Sequence, residues 1–354
     1  MRKAATAGVA LLMMLGLAAC SGESGSGAAS ASASASASAT ATADAEPIAY
    51  KEPTCVNTAD IAANGDEPEI KYGPSGMPNV GKTSSGTVKL GFPDGDAPDG
   101  LRVCVVSQGK GEALSEDSMV SANYVGQVWG NPVPFDSSFE RGQGTSFVLT
   151  QVVKGWTYPM SHAHVGDKLI ISIPADYGYG AQGNSQAGIS GTDTIAFYVE
   201  ITSGVVPAQT GQKDAKEETK VADLPVTFSA GLGEPITDLK VKDGQKAPVT
   251  DPSATATEAN SPQVTVIARG TGKALPDSGT YIIQYAATDW KNSYTENTWT
   301  GTTVPKGAAF IPTTGQTVFN ALAGIPVGSR VFMTVPGDSE EKTLAVVVDI
   351  VGSM

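Results

Sequence analysis

Histidine and cysteine are nearly absent: two histidines, His162 and His164, and three cysteines, Cys20, Cys55 and Cys104, in 354 residues. None of them forms a Cys/His group at metal-ligand spacing, so no zinc site and no cofactor are expected. Basic residues are also few, 23 Lys and Arg against 36 Asp and Glu, for a formal net charge of −13. That balance argues against nucleic acid and anionic lipid as partners of the folded part. Long apolar runs are missing too. Beyond the first twenty residues none reaches the roughly 20 needed to span a bilayer. Aromatic residues are 6% of the chain, so the places where they gather are informative.

The N-terminus carries a targeting signature. Arg2 and Lys3 precede a short apolar core, Val9 to Leu17, and Leu17-Ala18-Ala19-Cys20 follows. This resembles the bacterial lipobox, where cleavage leaves a lipid-modified cysteine as the new N-terminus. The other reading is an ordinary secretory signal with an unrelated cysteine. Residues 1–20 are therefore expected to be a lipoprotein signal peptide. Acyl chains on Cys20 would hold the chain at the extracytoplasmic face of the cell membrane, each buried CH₂ adding about 0.8 kcal/mol. Residues 21–47, with alternating Ser-Ala and Thr-Ala, offer too little apolar surface to fold and are expected to be a flexible tether. Outside the cytoplasm Cys55 and Cys104 can oxidise. A bridge between them would add about 4 kcal/mol in the chain-entropy model; the alternative is two buried thiols.

Residues 48–100, rich in Gly, Pro and Asp, keep no sustained period and are expected to pack as irregular chain and short strands, an N-terminal extension of the first module. From Leu101 the pattern changes. Val103 and Val105, then Val120, Ala122 and Tyr124, alternate with smaller or polar residues. Leu169, Ile171 and Ile173 do the same, as do Ile195, Phe197, Val199 and Ile201, the signature of half-buried strands. Gly109-Lys110-Gly111, Gly130-Asn131-Pro132 and Val165-Gly166-Asp167 supply turns between them. Only Gly155 to His164 has helical character, with Pro159 tolerable near its start. Several antiparallel strands and one short helix predict an α+β fold.

Five motifs then occur in order: Tyr124-Val125-Gly126, Phe135-Asp136-Ser137-Ser138, Val152-Val153-Lys154-Gly155-Trp156, Ile173-Pro174 and Tyr177-Gly178-Tyr179-Gly180. With the closing strand Thr194 to Ile201, they resemble the FKBP-type peptidyl-prolyl cis–trans isomerases, over residues 101–204. The resemblance implies a curved antiparallel sheet wrapped around the short helix, with a pocket between them. It implies that Tyr124, Phe135, Asp136, Trp156, Tyr179 and Phe197 carry the reaction. Arg141, Phe147, Val152, Val153 and Ile189 would bind substrate, Arg141 as the ionic partner of Asp136. Trp156 would be the floor for a prolyl ring, the Tyr179 hydroxyl a donor to a substrate carbonyl, and Ile189 a flap residue whose backbone N–H also meets the ligand. The flap Ala181 to Gly191 lacks the family's prolines and, being glycine-rich, is expected to be mobile. Thr145 stands where the family often has an aromatic.

The second half repeats the first. Arg269-Gly270-Thr271-Gly272-Lys273-Ala274-Leu275 matches Gln108-Gly109-Lys110-Gly111-Glu112-Ala113-Leu114. Tyr285 and Trp290 lie 161 residues after Tyr124 and Trp129, and Thr343 to Ile350 repeats the closing strand. After a linker at 205–225, residues 226–354 are expected to form a second FKBP-like module, so that the chain holds two. Its chemistry is missing: Thr295-Glu296-Asn297-Thr298 replaces Phe135 to Ser138, Val318 or Ala321 falls at the Trp156 position, Val346 replaces Phe197, and the flap is cut short.

Rotation about the bond before proline meets a barrier of about 18–20 kcal/mol, and no bond is broken. A dry, shaped cavity that favours the twisted amide suffices, without nucleophile, acid–base pair or metal. The expected function is isomerisation of Xaa-Pro bonds in secreted or surface polypeptides, assisting their folding, with macrolides as possible ligands through the resemblance. The alternatives are a non-catalytic FKBP-like chaperone or binding lipoprotein, and an adhesin-like surface module.

Overall fold

The computed structural model describes residues 46–56, 59–250, 261–313, 315 and 317–354. The signal segment with Cys20, and the tether up to residue 45, lie outside the described residues. The chain divides after Val206 into two compact units.

The first unit contains nine strands: β1 (Ile70–Tyr72), β2 (Asn79–Lys82), β3 (Val88–Gly91), β4 (Leu101–Ser107), β5 (Met119–Val128), β6 (Asp136–Ser137), β7 (Thr145–Val148), β8 (Lys168–Ile173) and β9 (Ile195–Val205). Its main sheet runs β1-β4-β8-β9-β5-β6, with β7 beside β5. Only β1 pairs parallel; the others are antiparallel. The period-two alternation sorts the two faces. Val120, Ala122, Tyr124, Leu169, Ile171, Ile173, Ile195, Phe197, Val199 and Ile201 join one apolar cluster. Cys104, Val125, Ile170, Ala196 and Tyr198 turn to the opposite face, where Met77 and Leu90 cover them.

Two helices follow: α1 (Ser138–Arg141) and α2 (Lys154–Ser161). In α1 the Ser137 Oγ accepts from the Glu140 N–H, and Gly142, at φ 71°, ends the turn in the left-handed region. Helix α2 buries Trp156, Tyr158 and Met160 against the first cluster, burial worth about 1.5–3 kcal/mol per large side chain. A Cβ on Gly155 would lie 2.3 Å from Ile173 Cγ2, so glycine lets the helix backbone sit on β8. The Thr157 hydroxyl donates to the Leu149 carbonyl at 2.6 Å and holds the helix start. Pro159 stands in the last turn rather than near the start. It cannot donate to the preceding turn, and the helix stops two residues later.

The N-terminal extension adds three short strands to otherwise irregular chain. It contributes β1 to the main sheet, and β2 and β3 form a hairpin. Cys55 and Cys104 are joined by a disulfide, with Cα atoms 5.2 Å apart. The bond ties the extension to the second strand of the sheet.

The second unit holds β10 (Lys216–Glu217), β11 (Val226–Thr227), β12 (Lys240–Val241), β13 (Gln263–Arg269), β14 (Thr280–Asp289), β15 (Thr295–Asn297), β16 (Ala309–Pro312), β17 (Arg330–Val335) and β18 (Leu344–Ser353). Its sheet runs β10-β13-β17-β18-β14-β15, with β16 beside β14. Strand for strand, β13, β17, β18, β14, β15 and β16 occupy the places of β4, β8, β9, β5, β6 and β7. A single 3-10 turn, Val318–Leu322, stands where α2 does.

The linker expected at 205–225 is a correction. The end of β9 reaches Val205, and the rest is built into the second unit: β10 pairs with β13, the Gln212 N–H donates to the Gly328 carbonyl, and Leu224 is buried. The segment's polar side chains take part as well: Gln212 Oε1 accepts from the Thr271 N–H at 2.9 Å, and Glu218 pairs with Arg269 at 2.7 Å. The same unit hides an ion pair. Arg330 and Asp349, 2% and 0% exposed, meet through Nε–Oδ1 at 2.6 Å and Nη2–Oδ2 at 2.8 Å. Arg330 also donates to the Gly231 and Glu234 carbonyls, and Asp349 accepts from the Gly211 N–H.

Candidate functional site

The site stands between α2 and the inner face of the first sheet. Trp156, 4% exposed, is at its centre. Its ring lies 5.4 Å from Tyr124, 5.0 Å from Phe147 and 5.1 Å from Phe197, all edge-on. Phe135 meets Phe197 edge-on at 5.5 Å. Such edge-to-face pairs each add about 0.5–1.5 kcal/mol beyond their burial. The β5–β9 register explains the spacing. Gly126 sits opposite Phe197, and a Cβ there would come within 2.5 Å of Phe197 and 2.6 Å of Phe135. Glycine at this position lets the two rings meet. Val152 and Val153 pack against the same cluster where the chain enters α2.

One edge is ionic. The Arg141 guanidinium donates to Asp136 Oδ1 and, at 2.9 Å, to the Tyr124 hydroxyl, which itself donates to Asp136 Oδ2. Arg141 also donates to Thr145 Oγ1 at 3.2 Å and lies 5.6 Å from the Tyr124 ring centroid. Helix α1 presents Arg141 one turn after Asp136, and Ser138 Oγ accepts from the Tyr124 N–H at 2.7 Å. Burial first, then the Asp136 carboxylate, push the Tyr124 phenol up to about 12 against the opposing pull of Arg141. Asp136 is thus held at the boundary between apolar wall and solvent, with both oxygens engaged. Thr145, which stands where the family often has an aromatic, is a hydrogen-bond partner of this network.

The flap is tighter than its glycines predict. Ile189 is 4% exposed and belongs to the cluster of Trp156, with Ala187 packed against it. Its backbone N–H, expected to meet a ligand, donates to the Asn184 carbonyl at 2.9 Å, and the Asn184 N–H returns a bond to the Ile189 carbonyl at 2.8 Å. Gly183 adopts φ 62°, and a Cβ on it would lie 2.4 Å from the Ile189 oxygen; one on Gly191 would lie 2.1 Å from the Ala181 oxygen. The glycines serve close packing. Tyr179 is 37% exposed and pairs with none of the rings around Trp156. Tyr177, two residues earlier, packs there instead. That alternation across Tyr177-Gly178-Tyr179 is the signal that could have found it.

Trp156 Nε1 is fully buried and has no hydrogen-bond partner. A cavity of about 190 Å³ lined by Tyr72, Gln108, His162, His164 and Asp167 lies at the other end of α2, and none of the rings around Trp156 lines it.

The second unit keeps the skeleton of this arrangement and not its rings. The Tyr285 hydroxyl donates to Glu296 Oε2 at 2.9 Å, and the Tyr285 N–H donates to Thr298 Oγ1 at 2.9 Å, as Tyr124 does to Asp136 and Ser138. The other Glu296 oxygen takes the Tyr294 hydroxyl at 2.6 Å. Val346 faces Ala287 in the register that Phe197 holds opposite Gly126. The ring that approaches Tyr285, at 6.0 Å, is Phe319, neither Val318 nor Ala321. The 3-10 winding of that turn rotates its side chains relative to an α-helix.

Residues 110–202 match the family model described as FKBP-type peptidyl-prolyl cis-trans isomerase. A "Probable FKBP-type peptidyl-prolyl cis-trans isomerase" of Haemophilus influenzae is 39% identical over 102 residues, 29% of this chain and 42% of that one. The chain thus spans less than half the length of that relative. A "Probable FK506-binding protein" of Corynebacterium glutamicum is 30% identical over 115 residues, 32% of this chain and 96% of that protein. "FK506-binding protein 1" of Dictyostelium discoideum is 35% identical over 104 residues, 29% of this chain and 95% of that protein. Through its first unit, the chain belongs to the FKBP-type peptidyl-prolyl cis-trans isomerase family.

Proposed function

We propose that the first unit catalyses cis–trans isomerisation of Xaa-Pro bonds in polypeptides outside the cytoplasm, and that macrolides of the FK506 type compete for its site. The observation that carries this reading is the closure of Tyr124, Phe147 and Phe197 around Trp156, with Asp136 and Arg141 at one edge. A prolyl ring on the Trp156 face meets only apolar walls. There the planar amide loses the solvation that favours its charge-separated form, so the twisted amide is relatively favoured. Ile189 and Ala187 must lift for the ring to enter. Trp156, Tyr124, Phe147, Phe197 and Phe135 shape the pocket; Asp136, fixed by Arg141 and Tyr124, biases the field at the twisting carbonyl; Tyr179 offers an exposed hydroxyl to the flanking chain.

Residues 226–354 form, in this reading, a second module of the same fold that has lost the activity. Its strand order and the Tyr285–Glu296–Thr298 network support the common fold, and Thr295, Phe319 and Val346 support the loss. The Cys55–Cys104 disulfide supports an oxidising location, and Leu17 to Cys20 supports a lipid anchor on Cys20. A second reading, a chain-holding protein without turnover, is favoured by the burial of Ile189 over Trp156. Turnover of a proline-containing tetrapeptide, with and without a macrolide, separates the two. The first reading expects acceleration that the macrolide abolishes; the second expects binding without acceleration. For the anchor, Cys20→Ser should move the protein from the membrane fraction to the soluble one, and continued membrane association would refute it.

A further inference from the structure

The outer face of the first sheet is joined to the inner, aromatic face by one buried amide. On β5, Tyr124, Gly126 and Val128 turn inward, whereas Val125 and Gln127 turn toward the extension. Gln127 is 0% exposed and polar, in the middle of a strand. Such a group persists only where its hydrogen bonds are met. Its Oε1 accepts from the Leu90 N–H on β3 at 2.7 Å. Its Nε2 donates to the Asn131 carbonyl at 2.7 Å and, more weakly, to the Leu90 carbonyl at 3.5 Å. Acceptor and donor ends are both used, which fixes the amide in one orientation.

Asn131 belongs to the turn that returns the chain from β5 to β6. Its N–H donates to the Val128 carbonyl, and its Oδ1 accepts from the Val133 N–H at 2.9 Å. Two residues later Phe135 donates its N–H to the Gly126 carbonyl and sets its ring against Phe197. Asp136 follows directly. The same turn meets the extension a second time: Trp129 packs on Phe92 at 5.0 Å, and its Nε1 donates to the Gly95 carbonyl at 3.3 Å. The extension is itself fixed through the Cys55–Cys104 disulfide.

We propose that Gln127 is a positioning residue for isomerisation, and that through it the N-terminal extension sets the place of Phe135 and Asp136 in the site. The extension is then a working part of the first unit and not a cover. It touches no substrate; it acts through the 129–135 turn. This inference rests on the isomerase reading, and turnover by the unaltered full-length chain tests that reading separately.

The test compares three variants of the full-length chain in a proline-tetrapeptide assay, each with its unfolding midpoint. Gln127→Met keeps the length of the side chain and removes all three hydrogen bonds. Asn131→Ala, at an exposed position, removes only the bond to Val133 and leaves folding intact should Gln127→Met fail to fold. Leu114→Ala loosens the core of the same unit at the connection between β4 and β5, where Leu114 is 7% exposed, outside both the extension and the site. The expected result is a fall in kcat of roughly tenfold for Gln127→Met, with KM little changed, since a small misplacement of a wall is paid mainly in the transition state. Asn131→Ala should show a smaller fall in the same direction, and Leu114→Ala should lower the midpoint while kcat stays at the unaltered value. Equal kcat in all three and in the unaltered protein would overturn the proposal. So would a loss for Leu114→Ala as large as that for Gln127→Met, which would reduce the effect to general loosening. If the unaltered chain shows no turnover, the isomerase reading fails first.

Discussion

Raising the pH should loosen the first unit through one phenol. Tyr124 is held at about 12, against 10.0 for a free tyrosine, because it is buried and beside Asp136. At about 1.36 kcal/mol per pH unit, that difference is worth about 2.7 kcal/mol. The folded pKa is the higher one, so the stabilisation is fully present below pH 10 and is lost as pH rises through about 12. Tyr124 is 5% exposed, but its hydroxyl meets Asp136 and Arg141, whose side chains are 28% and 40% exposed, so solvent screening makes this an upper figure. Other tyrosines are raised as well, Tyr72 also to about 12, so the experiment is a difference. Unfolding of the unaltered chain and of Tyr124→Phe is followed from pH 8 to pH 12, on the transition of the first unit. At pH 8 the variant should be weaker by about 1–3 kcal/mol, because Arg141 and Asp136 lose the hydroxyl between them. That deficit should shrink by up to about 2 kcal/mol by pH 12, and the late phenolate absorbance of the unaltered chain should exceed that of Tyr124→Phe by one tyrosine's worth. A deficit that stays constant with pH would refute the burial and the Asp136 contact as the cause.

Cys55→Ser opens a loop of 49 residues and should lower the denaturant midpoint of the first unit, by up to about 4 kcal/mol in the chain-entropy model. Gly155→Ala drives a methyl to 2.3 Å from Ile173; it should cost about 1–3 kcal/mol of stability, and lower kcat/KM as Trp156 shifts with α2. Arg330→Met leaves Asp349, 0% exposed, with only the Gly211 N–H. Calorimetry should show the transition of the second unit falling by about 3–5 kcal/mol, with the first left in place.

The strands of the first unit were legible because their large apolar residues alternate toward the inner face; that the outer face is covered too, by Met77 and Leu90, was not. The aromatic site was legible because its rings come from fixed registers, Phe197 opposite Gly126 above all. What was not legible depends on backbone partners or winding. The 205–225 segment reads as linker because Gln212 and Gly211 bond through main chain, to Gly328 and Asp349. Helix α1 is four residues long, too short for a period, and is marked only by its Ser137 and Gly142 caps. Phe319 escaped because a 3-10 turn places side chains on a different face from the α-helix it replaces. The flap's glycines read as freedom, although Gly183 and Gly191 are required by contacts under 2.5 Å to carbonyl oxygens. Gln127 gave no signal at all: a buried amide is recognised only when the partners on both sides are in view.

The central claim is that Trp156 and the rings around it form a working prolyl site. Tetrapeptide turnover by the full-length chain, set beside Trp156→Ala with folding verified for both, tests it most directly. The account predicts acceleration above the uncatalysed rate for the unaltered chain, and a loss of at least roughly tenfold in kcat/KM for Trp156→Ala, since the floor against which the twisted amide is favoured has gone. A folded, unaltered chain with no rate above background, or a Trp156→Ala protein as fast as its parent, would contradict it.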